Sequence, residues 1–99
     1  PLPEPKRGPS GIDAVILHVD HFGNAVTNVR AEDHGDMTTA AFVGRTARRV
    51  RTYAEAQPDE VVVLEGSAGY LELAINCGSA AEATGLERGD TVVFSYGDG

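Results

Sequence analysis

Glycine and proline divide this chain into short segments rich in β-branched residues, and that division limits most strongly how it can fold. The segments cover residues 12–19, 24–29, 39–43, 48–53, 60–64, 70–75 and 91–96. β-Branched and aromatic residues favour strands, and Gly- or Pro-containing turns between them leave little room for long helices. We therefore predict an all-β fold, a small barrel or sandwich of about seven short strands.

The two ends of the chain differ from this pattern. Ser79 can accept an otherwise unpaired N–H group, which predicts one short helix over residues 80–86. Residues 1–11 hold four of the five prolines and no initiator methionine. That composition is typical of an extended linker that follows an earlier segment. The predicted organisation is a linker over residues 1–11 and one β domain over residues 12–99.

Charge and length limit the partners that this domain can have. The 99 residues carry a formal net charge of −7, and the basic cluster Arg45–Arg51 is short. Phosphate binding needs clustered positive charge, so we expect no nucleic-acid partner. No apolar run approaches the roughly 20 residues that cross a bilayer, so we expect no membrane insertion. The single cysteine, Cys77, excludes an internal disulfide and fits a reducing cytoplasm.

A strand over residues 70–76 would carry polar groups on one face. Side chains alternate between faces, so the odd-numbered Leu and Ile side chains would face the core. The other face would carry Tyr70, Glu72, Ala74 and Asn76. This face could recognise a polar, aromatic ligand, although the alternation alone favours an ordinary solvated surface.

A second unusual segment is Phe22-Gly23-Asn24. An aromatic ring, a residue that permits close approach and an amide that both donates and accepts would suit an adenine base. An Asn-stabilised turn with Phe22 in the core explains the same residues equally well.

Metal-binding and catalytic sites receive less support. A strand would place His18 and Asp20 on one face and His21 on the other, so we expect no metal site. Ser67 lacks the Gly-x-Ser-x-Gly spacing of a nucleophile elbow, and Cys77 has no neighbour that marks it as an activated thiolate. We predict no catalytic residue in this chain.

Four motifs occur in a fixed order along the chain: Val-Asp-x-Phe-Gly-Asn-x-x-Thr-Asn (residues 19–28), Thr-Tyr-Ala-Glu (52–55), Gly-Ser-x-Gly-Tyr-Leu-Glu (66–72) and Leu-x-x-Gly-Asp (86–90). Together they resemble the C-terminal domain of the S-adenosyl-L-methionine (SAM) hydroxide adenosyltransferases, or SAM hydrolases. This family is related to the fluorinating and chlorinating enzymes that use SAM. Val26 and the sequence Ser-Ala-Gly-Tyr over residues 67–70 resemble the hydroxide branch.

The resemblance implies that this chain binds SAM as a substrate and needs no other cofactor. Asn24 would bond the adenine edge, and Phe22 would pack against the ring. The backbone around Ile75, Asn76 and Cys77 would line the adenine pocket.

For the methionine end of SAM, the resemblance implies three further contacts. Ser67 would hold the carboxylate and Asp20 the ammonium group. Glu72 would make a polar contact to the adenosine or to the amine.

The implied reaction is attack of water or hydroxide at the 5′ carbon of the ribose, which releases adenosine and methionine. The resemblance implies a homotrimer, in which the N-terminal domain of a neighbouring subunit completes each site. That domain would supply the residues that position the attacking water. We therefore expect this chain to supply substrate contacts but no turnover, and to bind SAM weakly or not at all until the neighbouring domain completes the site. Two alternatives are a stand-alone nucleoside-binding module and a purely structural barrel.

Overall fold

The computed structural model describes residues 3–9 and 11–96, and eight strands account for most of the regular structure in this part of the chain. The strands are β1 (Lys6–Gly8), β2 (Gly11–Val19), β3 (Ala25–Arg30), β4 (Met37–Phe42), β5 (Arg45–Arg48), β6 (Val62–Glu65), β7 (Tyr70–Ala74) and β8 (Thr91–Tyr96). One α-helix, α1 (Ala80–Thr84), and two single 3₁₀ turns, Ala31–Asp33 and Tyr53–Glu55, complete the description.

The strands form one antiparallel sheet that curls into a nearly closed barrel. Their order is β5-β4-β8-β2-β3-β7-β6, and β1 extends the sheet by pairing with β2. The two edges meet where Arg49 bridges Val63 and the Val50 N–H donates to the Val63 carbonyl at 2.9 Å. The predicted all-β barrel is confirmed.

The interior of the barrel holds the main core. Alternate residues of the strands point inward, and the largest fully buried side chains are Phe94, Ile12, Ile16, Met37, Leu71 and Leu73. A second, smaller cluster lies on the outer side of β6 and β7 and contains Val50, Val62, Leu64 and Ala74. Ala74 therefore does not belong to a polar ligand-facing surface, because the chain after β5 covers it.

Two buried polar residues stabilise irregular pairing of β3. The register of β3 against β7 shifts between Val26 and Arg30, and there the Thr27 hydroxyl donates to the Leu71 carbonyl at 2.7 Å and accepts from the Val29 N–H at 3.2 Å. Asn28 spans the other side of β3. Its Oδ1 accepts from Val15 N at 3.0 Å, and its Nδ2 donates to the Pro3 carbonyl at 3.0 Å.

Three predicted elements differ from the observed ones. Lys6–Gly8, placed in the predicted linker, pairs with β2 instead. The strand predicted over residues 48–53 ends at Arg48, because the Glu55 carboxylate accepts from the backbone of Arg51 and Thr52 and closes a turn. The helix begins after Ser79, as predicted, but stops at Thr84 because Gly85 adopts a left-handed conformation with φ of 77°.

Candidate functional site

The loop between β2 and β3 is held in shape by the carboxylate of Asp20. Its Oδ1 accepts from the backbone N–H groups of Phe22 and Asn24, each at 2.9 Å, and its Oδ2 accepts from the Asn24 side chain at 3.3 Å. The loop presents Phe22 outward, with 75% of the residue exposed. The alternative in which Phe22 belongs to the core is therefore wrong, and the turn is stabilised mainly by Asp20 rather than by an Asn.

Gly23 ties this loop to the start of helix α1. Its carbonyl accepts from the Ala81 N–H at 2.9 Å, and Ser79 caps the helix by accepting from Glu82 N at 3.1 Å. Gly23 has φ of 84°, and a Cβ there would lie within 3.0 Å of three Ser79 atoms. Only glycine fits this conformation and this close approach without displacing the helix.

An open, mainly apolar depression of about 490 Å³ lies beside the exposed ring of Phe22. Its walls are Phe22, Asn24, Tyr53, Ile75, Cys77 and Gly78. We call it the aromatic depression. Partial burial raises the pKa of the Tyr53 phenol, and the nearby Glu72 and Asp20 carboxylates raise it further, while a hydrogen bond with Asn24 opposes the shift.

A second depression, of about 400 Å³, carries most of the charge of the site. Its walls are Leu17, His18, Asp20, Val26, Ser67, Ala68, Tyr70 and Glu72. We call it the acidic depression. Burial raises the pKa of the Glu72 carboxyl, the Asp20 charge raises it further, and His18 opposes the shift. A Cβ at Gly66 would fall within 3.0 Å of the Glu72 side chain, so glycine leaves room for this carboxylate.

The two depressions meet at the hydrogen-bonded pair Asp20 and Asn24. Asn24 lines the aromatic depression, and Asp20 lines the acidic one. Phe22, Asn24, Ile75 and Cys77 line the aromatic depression, whereas Asp20, Ser67 and Glu72 line the acidic one. The structure thus brings together seven of the eight predicted site residues. The eighth, Asn76, is exposed and lines neither; its side chain accepts from the Cys77 thiol at 3.5 Å.

Two polar side chains of the site, Tyr53 and His18, received no predicted contact with the ligand. Tyr53 belongs to the second motif, and that membership was the one signal that could have identified it. His18 was considered only as a metal ligand, yet it lies on the wall of the acidic depression. Across residues 3–9 and 11–96, no group of three or more His, Cys, Asp or Glu side chains is arranged to hold a metal ion. The same residues include no helix that is long and apolar enough to cross a membrane.

Comparison with known proteins identifies the family. The family model described as the SAM hydroxide adenosyltransferase C-terminal domain matches residues 14–93. The chain belongs to this family. An (R)-S-adenosyl-L-methionine hydrolase of Thermus thermophilus is 42% identical over 86 residues, which cover 84% of this chain and 31% of that protein. A protein of the same name from Salinispora tropica is 32% identical over 98 residues, covering 98% of this chain and 38% of the relative.

Solved structures show the same fold in longer proteins. A conserved hypothetical protein of Thermus thermophilus superposes with a TM-score of 0.74 at 36% identity, covering 90% of this chain and 39% of that one. An uncharacterized conserved protein of Thermotoga maritima superposes with a TM-score of 0.81 at 22% identity, covering 96% and 40%. The chain therefore corresponds to 31% to 38% of the length of its curated relatives.

Proposed function

We propose that this chain is the substrate-binding part of a SAM hydrolase, which converts SAM and water into adenosine and L-methionine. The observation that carries the proposal is the junction of an aromatic depression with an acidic one at the Asp20–Asn24 pair. SAM has matching ends, an adenine ring at one and a sulfonium with an ammonium group at the other.

The adenine would occupy the aromatic depression. The exposed Phe22 ring offers a stacking surface, and the Asn24 amide faces the same space with groups that both donate and accept. Tyr53, in the turn that follows β5, adds a second aromatic wall. The backbone around Ile75 and Cys77 would close the end of this pocket.

The methionine end would occupy the acidic depression. Asp20 accepts three hydrogen bonds within its own loop, which leaves its charge in place but few free lone pairs. No donor contacts the Glu72 carboxylate among the hydrogen bonds of the described residues, so it is free to accept from the ligand ammonium. Ser67 would donate its hydroxyl to the ligand carboxylate.

The reaction itself is an in-line displacement. Water attacks the 5′ carbon, the carbon–sulfur bond breaks with its electron pair going to sulfur, and one proton is released to solvent. The sulfonium leaves without protonation, so catalysis depends on positioning and on the environment of the water. This chain would supply the substrate contacts, and the N-terminal domain of a neighbouring subunit in a homotrimer would supply the groups around the water.

The test combines activity and binding. The chain is joined to the N-terminal part of the Thermus thermophilus relative, and adenosine and methionine released from SAM are measured beside the unfused chain. We expect turnover from the fusion alone. In the fusion, Asn24→Ala should weaken substrate binding by about 1–3 kcal/mol, the cost of losing a buried hydrogen bond. Asn76→Ala, outside both depressions, is the matched control.

Each possible result has a distinct meaning. Turnover by the unfused chain would refute the assignment of the water-handling groups to another domain. A fusion that folds but releases no adenosine, together with adenosine binding by the unfused chain, would favour the stand-alone nucleoside-binding module. Equal kinetics for Asn24→Ala and Asn76→Ala would remove Asn24 from the site.

A further inference from the structure

The acidic depression holds no permanent positive charge among its described lining residues, although the ligand proposed for it is a zwitterion. Asp20 and Glu72 suit an ammonium or sulfonium group, and both repel a carboxylate. Ser67 offers only a neutral hydroxyl. A carboxylate placed there would need a cation from just outside the depression.

Arg30, at the end of β3, lies next to the acidic depression: it lines a neighbouring depression that shares Tyr70 as a wall. Its guanidinium stacks over the Tyr70 ring, 5.2 Å from the centroid, and Tyr70 is itself a wall of the acidic depression. One of its terminal nitrogens lies 3.3 Å from the position that a Cβ at Gly69 would occupy. Arg30 is thus packed against the turn that carries Ser67.

The backbone holds Arg30 and this turn in a fixed relation. The N–H of Ala31, the next residue, donates to the Gly69 carbonyl at 2.8 Å. The Arg30 side chain is 42% exposed, and its ion pair with Glu32 at 3.3 Å uses Nε. This ion pair does not use the terminal nitrogen Nη2, which lies beside the turn.

We infer that Arg30 binds the carboxylate of the methionine end, together with Ser67, and so sets the preference of the site for an amino-acid-bearing nucleoside. This inference rests on the proposed function. An exposed or partly exposed ion pair of this kind contributes at most about a fivefold change in affinity. The adenine contacts are unaffected by it.

A comparison of two ligands isolates the contribution of the ligand carboxylate to binding. SAM and decarboxylated SAM share the adenosine, the sulfonium and the ammonium group, and differ only in the carboxylate. Their dissociation constants for the 99-residue chain are measured from amide shifts in ¹H–¹⁵N NMR spectra, which detect millimolar binding. The variants are Arg30→Gln, Arg30→Lys and the control Arg45→Gln. Arg45 is also an exposed arginine, but its guanidinium donates to the Ala83 carbonyl at 3.1 Å, in another part of the barrel.

We expect Arg30→Gln to weaken SAM binding by up to about fivefold and to leave decarboxylated SAM unchanged or slightly tighter. Arg30→Lys should retain most of the SAM affinity, and Arg45→Gln should behave as the wild type. Equal losses for both ligands, no loss for either, or the same loss in Arg45→Gln would overturn the inference. Absence of binding of both ligands to the wild-type chain at millimolar concentration would also overturn it, whereas the proposed function is tested separately by turnover of the fusion.

Discussion

Substituting Gly23 by alanine should destabilise the fold through the contact between the site loop and helix α1. A Cβ at this position would lie within 3.0 Å of three Ser79 atoms, one of them the backbone Cα at 2.9 Å. Forcing an L-residue into the left-handed region costs about 1–2 kcal/mol. Overpacking against backbone adds about 1–3 kcal/mol. The expected loss in the free energy of unfolding is therefore about 2–5 kcal/mol.

Gly44 provides a matched control, because it has a similar φ of 75° but no atom within 4 Å of its would-be Cβ. Gly44→Ala should cost only the conformational part, about 1–2 kcal/mol. Urea unfolding followed by circular dichroism measures both losses. In a Ser79→Gly background the Gly23→Ala loss should shrink, because two of the three contacted atoms are gone. Equal losses at Gly23 and Gly44, or no relief from Ser79→Gly, would refute the reasoning.

Two further predictions concern charge and turn geometry. Because burial and the Asp20 charge raise the pKa of Glu72 above its ordinary value of 4.5, the ionised form is disfavoured in the folded state. The contribution of Glu72 to the stability of the fold therefore falls as the pH rises above 4.5. Glu72→Gln should be more stable than wild type in thermal unfolding at pH 7 but not at pH 4. An equal difference at both pH values would contradict this. In the β4–β5 hairpin, Val43 is 73% exposed and holds a φ of 42°, which is unfavourable for a β-branched residue. Val43→Asn should raise the unfolding free energy by about 1 kcal/mol, or the melting temperature by about 4–8 °C, and an unchanged melting temperature would show that the turn is unstrained.

The strands were predictable because β-branched residues are concentrated in them and turn residues separate them. Residues 91–96 were predicted as a strand and form β8, and the Ser79 cap correctly placed the start of the helix. The segment over residues 48–53 was predicted wrongly because its β-branched residues are outweighed by one nearby side chain. The Glu55 carboxylate bonds the backbone of Arg51 and Thr52 and forms a capping box with Thr52, a local signal that strand propensity does not include.

The candidate site was less predictable from residues alone. Strand alternation put Ala74 beside Glu72 on a ligand-facing surface, but the chain crossing after β5 buries Ala74 to 1% exposure. Tyr53 lies some twenty residues or more from the other walls of the aromatic depression along the chain. Only closure of the barrel between β5 and β6 brings it there, and no periodic pattern encodes that closure.

Most polar side chains of the motif over residues 19–28 form hydrogen bonds within the protein that hold the site in shape. Asp20 holds the loop, Thr27 bonds the neighbouring strand β7, and Asn28 links β2 to the N-terminal segment. Within this motif, Phe22 and Asn24 line the aromatic depression. Buried polar groups that are fully bonded fix one arrangement, because any slip in register would leave them unsatisfied in the interior.

The hydrogen bonds that shape the candidate site lie within a chain that matches about a third of its relatives' length. Every hydrogen bond that shapes the loop, from Asp20, Thr27 and Asn28, is made within the described residues of this chain. The walls of the two depressions come from residues of this chain. What a second domain would add is enclosure: both depressions are open, and open sites leave charges such as Glu72 screened by water. Covering them would strengthen the electrostatic contacts to a bound cation and exclude bulk water from the reacting carbon, so both tight substrate binding and catalysis would depend on assembly.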